Sequence, residues 1–84
     1  MGELASLLNI GPVVEEQLNA VGITTYEQLK KVGSRQAWLY IKAIDPSACI
    51  HRLYALEGAI QGIKKSQLSV DKKTELKEFY NSFK

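Results

Sequence analysis

The sequence predicts an all-α fold, a compact bundle of five to six short helices in a single domain over residues 1–84. Three observations carry that prediction. Apolar residues recur at i, i+3, i+4 and i+7 in several stretches, the spacing that gathers side chains on one face of a helix. Both prolines and most of the six glycines fall between those stretches, where they start or stop helices. No alternating run rich in Val, Ile and Thr is present to make a half-buried strand.

The first helix is short, about Glu3 to Leu8, and stops at Asn9-Ile10-Gly11-Pro12. Pro12 suits the first position of a second helix, because its missing N–H is one that a helix start leaves unpaired. That helix runs to Val21, with Val14, Leu18 and Val21 as its buried face and Glu15 and Glu16 near its positive end. Gly22 then stops it, and Ile23 folds back toward Leu18 in a Schellman exit. A third helix opens at Thr24 or Thr25, since Thr24 with Glu27 and Thr25 with Gln28 would each form a capping box. It ends at Gly33.

Ser34 is expected to cap the fourth helix, Arg35 to Ile44, which is apolar nearly all round and so is expected to be the most buried. Asp45-Pro46 reads as N-cap and first residue of a fifth helix reaching Gln61, with Ile50, Leu53, Tyr54, Leu56 and Ile60 inward. Lys64-Lys65 falls in a loop. Ser69 caps the last helix, whose stripe is Leu76, Phe79, Tyr80 and Phe83. One internal echo stands out: Glu16-Gln17-Leu18 with Val21-Gly22 is repeated as Glu27-Gln28-Leu29 with Val32-Gly33. It reads either as a duplicated helix-turn unit or as recurring helix-stop chemistry.

Composition narrows the function. A chain of this size buries only about 60% of its unfolded surface, which leaves little core to carve into a deep pocket. Net charge is +2, a mild basic bias. With a single cysteine, Cys49, no internal disulfide can form, which fits a reducing cytoplasm. No apolar run approaches the ~18 residues of a membrane span, and the start lacks the basic and apolar segments of a signal peptide. A cytoplasmic protein without membrane contact is therefore expected.

Catalytic constellations are not found. Cys49 and His51 lie two apart on a predicted helix and do not face one another, and no spaced set of zinc ligands or phosphate-binding glycine loop exists. No cofactor is expected. Cys49 is read as a small core or half-buried hydrophobe, His51 as a surface residue and Glu57 as a structural carboxylate with a polar partner. The aromatic residues lie at helical spacing and read as core, with Tyr26 and Tyr40 the ones whose exposure matters.

Leu8-Asn9-Ile10-Gly11-Pro12 before a helix resembles the turn of helix-hairpin-helix (SAM/HhH-type) units, in which backbone amides at a helix start hold a DNA phosphate without reading sequence. Asn9 stands where many DNA-binding members have their first glycine, and Asn tolerates the left-handed conformation. Phosphate contacts would fall to Asn9, Ile10 and Gly11, with basic support from Lys30, Lys31 and Arg35. Against this, Glu15 and Glu16 follow closely, and the hairpin can equally be a plain helix connector.

The stretch Leu8 to Pro12, Leu18 through Val21-Gly22-Ile23, Thr25 and Glu27 to Leu29, then Leu53-Tyr54-Ala55-Leu56-Glu57-Gly58-Ala59, resembles the C-terminal domain of TfoX/Sxy competence regulators over about residues 7 to 80. Lys64-Lys65 departs from a family that tends to place an aromatic residue nearby. The resemblance implies a non-enzymatic regulatory module tied to DNA uptake and competence genes in bacteria. A protein partner or self-association is the leading expectation for its contacts, and DNA the second.

Overall fold

The computed structural model describes residues 3–83. Those residues form five α-helices, α1 Pro12–Ala20, α2 Tyr26–Val32, α3 Ser34–Ile44, α4 Ile50–Gln61 and α5 Val70–Asn81. Two short 3-10 turns accompany them, Glu3–Ser6 before α1 and Lys65–Gln67 between α4 and α5, and no strand is present among the described residues. The all-α expectation holds. The first expected helix is shorter than its apolar pattern suggested, a four-residue turn ending at Ser6.

The local chemistry explains most boundaries. At the end of α1 the Ile23 amide donates to the Leu18 carbonyl at 2.8 Å and Gly22 donates to Asn19 at 3.1 Å, the paired bonds of a Schellman exit. The choice left open at α2 falls to Thr25, whose side chain accepts from the Gln28 amide in a capping box. The Gln28 side chain also accepts from the Thr24 amide at 2.7 Å, so both threonines serve one start.

The two echoed segments match in burial and differ in exit. Leu18 and Leu29 are both fully buried. Gly22 closes a Schellman turn, whereas Gly33, at φ 87° and ψ 158°, is both the last cap of α2 and the first of α3. That backbone region is open to glycine almost alone.

Four expectations are corrected. Ser34 is not an N-cap but the first residue of α3, and its hydroxyl donates to the Glu57 carboxylate at 2.6 Å. Pro46 does not start a helix. Asp45 caps the end of α3 and accepts from the amide and hydroxyl of Ser47, which turns the chain so that Ala48 is buried and α4 begins only at Ile50. Cys49 is exposed, because its main chain rather than its thiol is what the core uses: its carbonyl accepts from the Trp38 indole at 3.2 Å. Finally, α3 buries Ala37, Trp38 and Ile41 but leaves Tyr40 and Ile44 in solvent. The central element is α4, which packs against α2, α3, α5 and the second 3-10 turn.

The core gathers Trp38, Leu4, Leu18, Leu29, Ile41, Leu53, Leu56 and Leu76, all fully buried. Trp38 is its largest member, and the rings of Phe79, Tyr80 and Phe83 meet it edge-on at centroid distances of 6.0, 5.5 and 6.3 Å. Edge-to-face contact of this kind adds about 0.5–1.5 kcal/mol per pair beyond apolar burial. It explains how α5, polar over most of its surface, is held.

Two polar anchors set the element positions. Asn9, at φ 71°, points its amide into the end of α4, donating to the Ile63 carbonyl at 2.9 Å and accepting from the Lys65 amide at 3.1 Å. The approach is so close that a Cβ on Gly58 would sit 2.5 Å from Asn9 Nδ2 and 2.9 Å from the Ile63 carbonyl oxygen. The second anchor is Asp45, which binds Ser47, Arg52 of α4 at 2.8 Å and Gln17 of α1 at 2.8 Å. Hydrogen bonds from Ser47, then Arg52 and Gln17, hold its carboxyl well below the usual carboxylate range.

Two outcomes follow. Gly58→Ala should lower stability by about 1–3 kcal/mol in urea titration, although alanine is the better helix former by about 1 kcal/mol, because the main chain behind it cannot retreat. A neutral or stabilising result would show that the hairpin is not held there. Because the folded Asp45 pKa lies below the unfolded one, its contribution is complete above the ordinary carboxylate value and drains away as pH falls from about 4 through the depressed folded value. Thermal melts of Asp45→Asn should therefore show a flatter loss of stability below about pH 4 than the parent chain shows.

Candidate functional site

The residues expected to meet phosphate are distributed by the fold as follows. Asn9 is half-buried and spends its side-chain amide on Ile63 and Lys65. Ile10 is buried in the core. Gly11 caps α1 in an extended conformation, φ −100° and ψ −178°, and a Cβ placed on it would meet nothing within 4 Å. Neither backbone strain nor internal crowding therefore demands glycine there.

An acidic group stands close behind this hairpin. Glu15, in the first turn of α1, is only 6% exposed and accepts from the Ala5 amide at 2.9 Å. It ties the first 3-10 turn to α1 and places a carboxylate near the helix start, where an external anion would have to settle. The sequence marked Glu15 as a favourable first-turn residue but gave no sign that it is interior.

The three basic residues lie around the short connection from α2 to α3. Lys30 and Lys31 occupy the last turn of α2, where cations complement the helix dipole. Lys30 also stands over the Tyr26 ring, 5.1 Å from its centroid. Arg35, in α3, pairs with Glu75 of α5 and lies over the Phe79 ring. Arg35 lines a cleft of about 360 Å³ that also holds Ser34, Glu57, Lys72 and Glu75. Asn9 lines a different one, of about 220 Å³, with Cys49, His51, Arg52 and Lys65. The fold thus does not gather Asn9 and Arg35 at one cleft.

Glu57 has the polar partners expected of it: Ser34 donates to one oxygen at 2.6 Å and Gln61 to the other at 2.6 Å. Cys49 and His51 are both exposed, and the His51 ring meets Tyr54 edge-on at 6.4 Å. Tyr26 is half-buried, its hydroxyl donating to the Ile60 carbonyl at 2.7 Å. Tyr40 is exposed. Among the described residues no group of three or more His, Cys, Asp or Glu side chains is placed to hold a metal ion, and no helix is long and apolar enough to cross a membrane.

A third cleft, about 310 Å³, opens between α1 and the end of α3 and is lined by Val13, Glu16, Gln17, Ala20 and Ile44. Val13 is 64% exposed and Ile44 53%. The sequence offered a partial signal for this surface, since Val13 falls outside the Val14, Leu18, Val21 face. Its pairing with Ile44 depends on how α1 crosses α3.

Comparison with known proteins places the chain. It is 33% identical over 79 residues to Protein Sxy of Escherichia coli (strain K12), an alignment covering 94% of this chain and 38% of that protein. The chain thus spans about two fifths of the length of that relative. Two crystal structures of a protein from Listeria monocytogenes, triclinic and tetragonal forms described as uncharacterized and of unknown function, match with a TM-score of 0.95 and 49% identity. They cover 98% of this chain and 93% and 100% of theirs. The model of the TfoX C-terminal domain matches residues 1–80, and the chain belongs to that family.

Proposed function

We propose that this chain is a non-enzymatic regulatory module that acts in the cytoplasm by binding a protein partner or a second copy of itself, in the control of DNA competence and transformation. Family membership supports the biological setting. One contrast supports the mode of action. Three of the groups expected to meet phosphate are engaged within the fold, Asn9 on the α4 end, Arg35 on Glu75 and Lys30 on Tyr26. Large apolar side chains of α1 and α3, Val13, Tyr40 and Ile44, are instead left in solvent.

A second reading keeps one observation in its favour. Gly11 is a glycine that the fold itself does not require, and a bare backbone at a helix start is where a phosphate could approach. Under that reading the hairpin is a helix-hairpin-helix contact for duplex DNA, with Lys65, exposed beside Asn9, as the nearby cation. Glu15 and the mild net charge weigh against it.

Deletion of the gene in its own host should change transformation frequency and competence-gene transcripts, with restoration by the gene in trans; unchanged transformation would remove the competence role. The two readings separate in vitro. Titration of a labelled duplex at low salt should give no saturable binding if protein contact is the mode. Binding that weakens steeply with salt and is lost in Gly11→Ala would transfer the assignment to DNA. That variant should fold normally, its stability rising by about 0.4–1 kcal/mol through a stiffer unfolded chain.

A further inference from the structure

We infer that the cleft between α1 and α3 receives a basic amphipathic helix from a protein partner. This deepens the regulatory-module reading and rests on it. The floor and lips are apolar: Val13 and Ile44 stand mostly in solvent, with Ala20 beside them. Burying a valine- or isoleucine-sized side chain is worth about 1.5–3 kcal/mol, so these two residues are the anchors of the site.

The exposed polar side chain of the cleft is an anion. Glu16 is an exposed carboxylate on its wall. Gln17 gives its amide N–H to Asp45 at 2.8 Å, and its carbonyl oxygen is buried out of a partner's reach. Ile44 is the last residue of α3, the negative end of that helix dipole. The nearest cations in sequence are used elsewhere: Lys42 donates to the Pro46 carbonyl at 2.6 Å and Arg52 to Asp45 at 2.8 Å. No Lys, Arg or His side chain lines the cleft.

The complement is therefore a segment bearing both an apolar side chain and a cationic donor. A helix supplies the two together, because residues at i and i+4 lie on one face. DNA is excluded by the same charges. A second copy meeting the cleft with its own cleft is also disfavoured, since a two-fold contact would set Glu16 against Glu16.

The test titrates the isotopically labelled chain with two synthetic helical peptides, one carrying Leu and Lys on one face and the other carrying Leu and Glu at the same places. Amide shifts should centre on Val13, Gln17 and Ile44, and the Lys peptide should bind at least about tenfold more tightly at low salt. Glu16→Lys should weaken that peptide about fivefold, and Ile44→Gln about tenfold, each with an unchanged thermal melt. Equal binding of both peptides, shifts centred on another surface, or no saturable binding would overturn the inference. So would a monomer–dimer equilibrium abolished by Ile44→Gln, which would put a second copy in the cleft. A transformation defect on gene deletion that stands beside a failed titration would leave the regulatory reading intact and remove only this assignment.

Discussion

The contact on which the rest of the structure depends is the approach of Asn9 to the end of α4. Its amide makes two hydrogen bonds across more than fifty positions of chain, to Ile63 and Lys65. A left-handed Asn is tolerated because a short polar side chain can satisfy local backbone groups. Here those groups come from another element. The same contact fixes Gly58, because any side chain at that position would occupy the space that Asn9 and the Ile63 carbonyl fill. The hairpin is thus held inward, directly before α1.

Around that anchor, several charged groups serve the structure. Asp45 joins α1, α3 and α4 through Gln17, its own cap position and Arg52. Glu3 accepts from the Tyr26 amide at the start of α2, and Glu15 accepts from the Ala5 amide in the first 3-10 turn. Arg35 and Lys72 share Glu75 between α3 and α5. In a domain this small the apolar core is limited, and carboxylates that satisfy helix starts and helix ends orient elements that burial alone would leave loosely placed. Arg35, Arg52 and Lys72 are taken up in ion pairs, whereas Lys31, Lys64, Lys65 and Lys77 remain exposed.

One surface open to recognition is apolar. Tyr40 and Ile44 lie one turn apart on α3, and Val13 meets Ile44 across the cleft. Singly exposed apolar residues are ordinary on protein surfaces, but adjoining ones on two helices, beside the Glu16 carboxylate, have a direction of partner preference. The proposed nature of the partner rests on that surface, and the regulatory setting on family membership.

The sequence by itself determined the helical class, the order of the elements and most of their ends. Those properties follow from local chemistry: the 3.6-residue period, Thr25 with Gln28, Gly22 with Ile23, Ser69 before α5. The resemblance to the TfoX C-terminal domain was legible too, carried by residues on α4 and the hairpin. Local rules failed where a distant group had a stronger claim on the same atoms. Asp45 looked like the cap of the following helix, but Gln17 and Arg52 take its carboxylate, and Ser34 looked like a cap until Glu57 took its hydroxyl. The inward turn of Asn9, the burial of Glu15, the exposure of Cys49 and the meeting of Val13 with Ile44 were likewise decided only by tertiary structure. Each depends on which helix faces which, and a one-dimensional pattern of apolar residues does not encode the crossing of two helices remote along the chain.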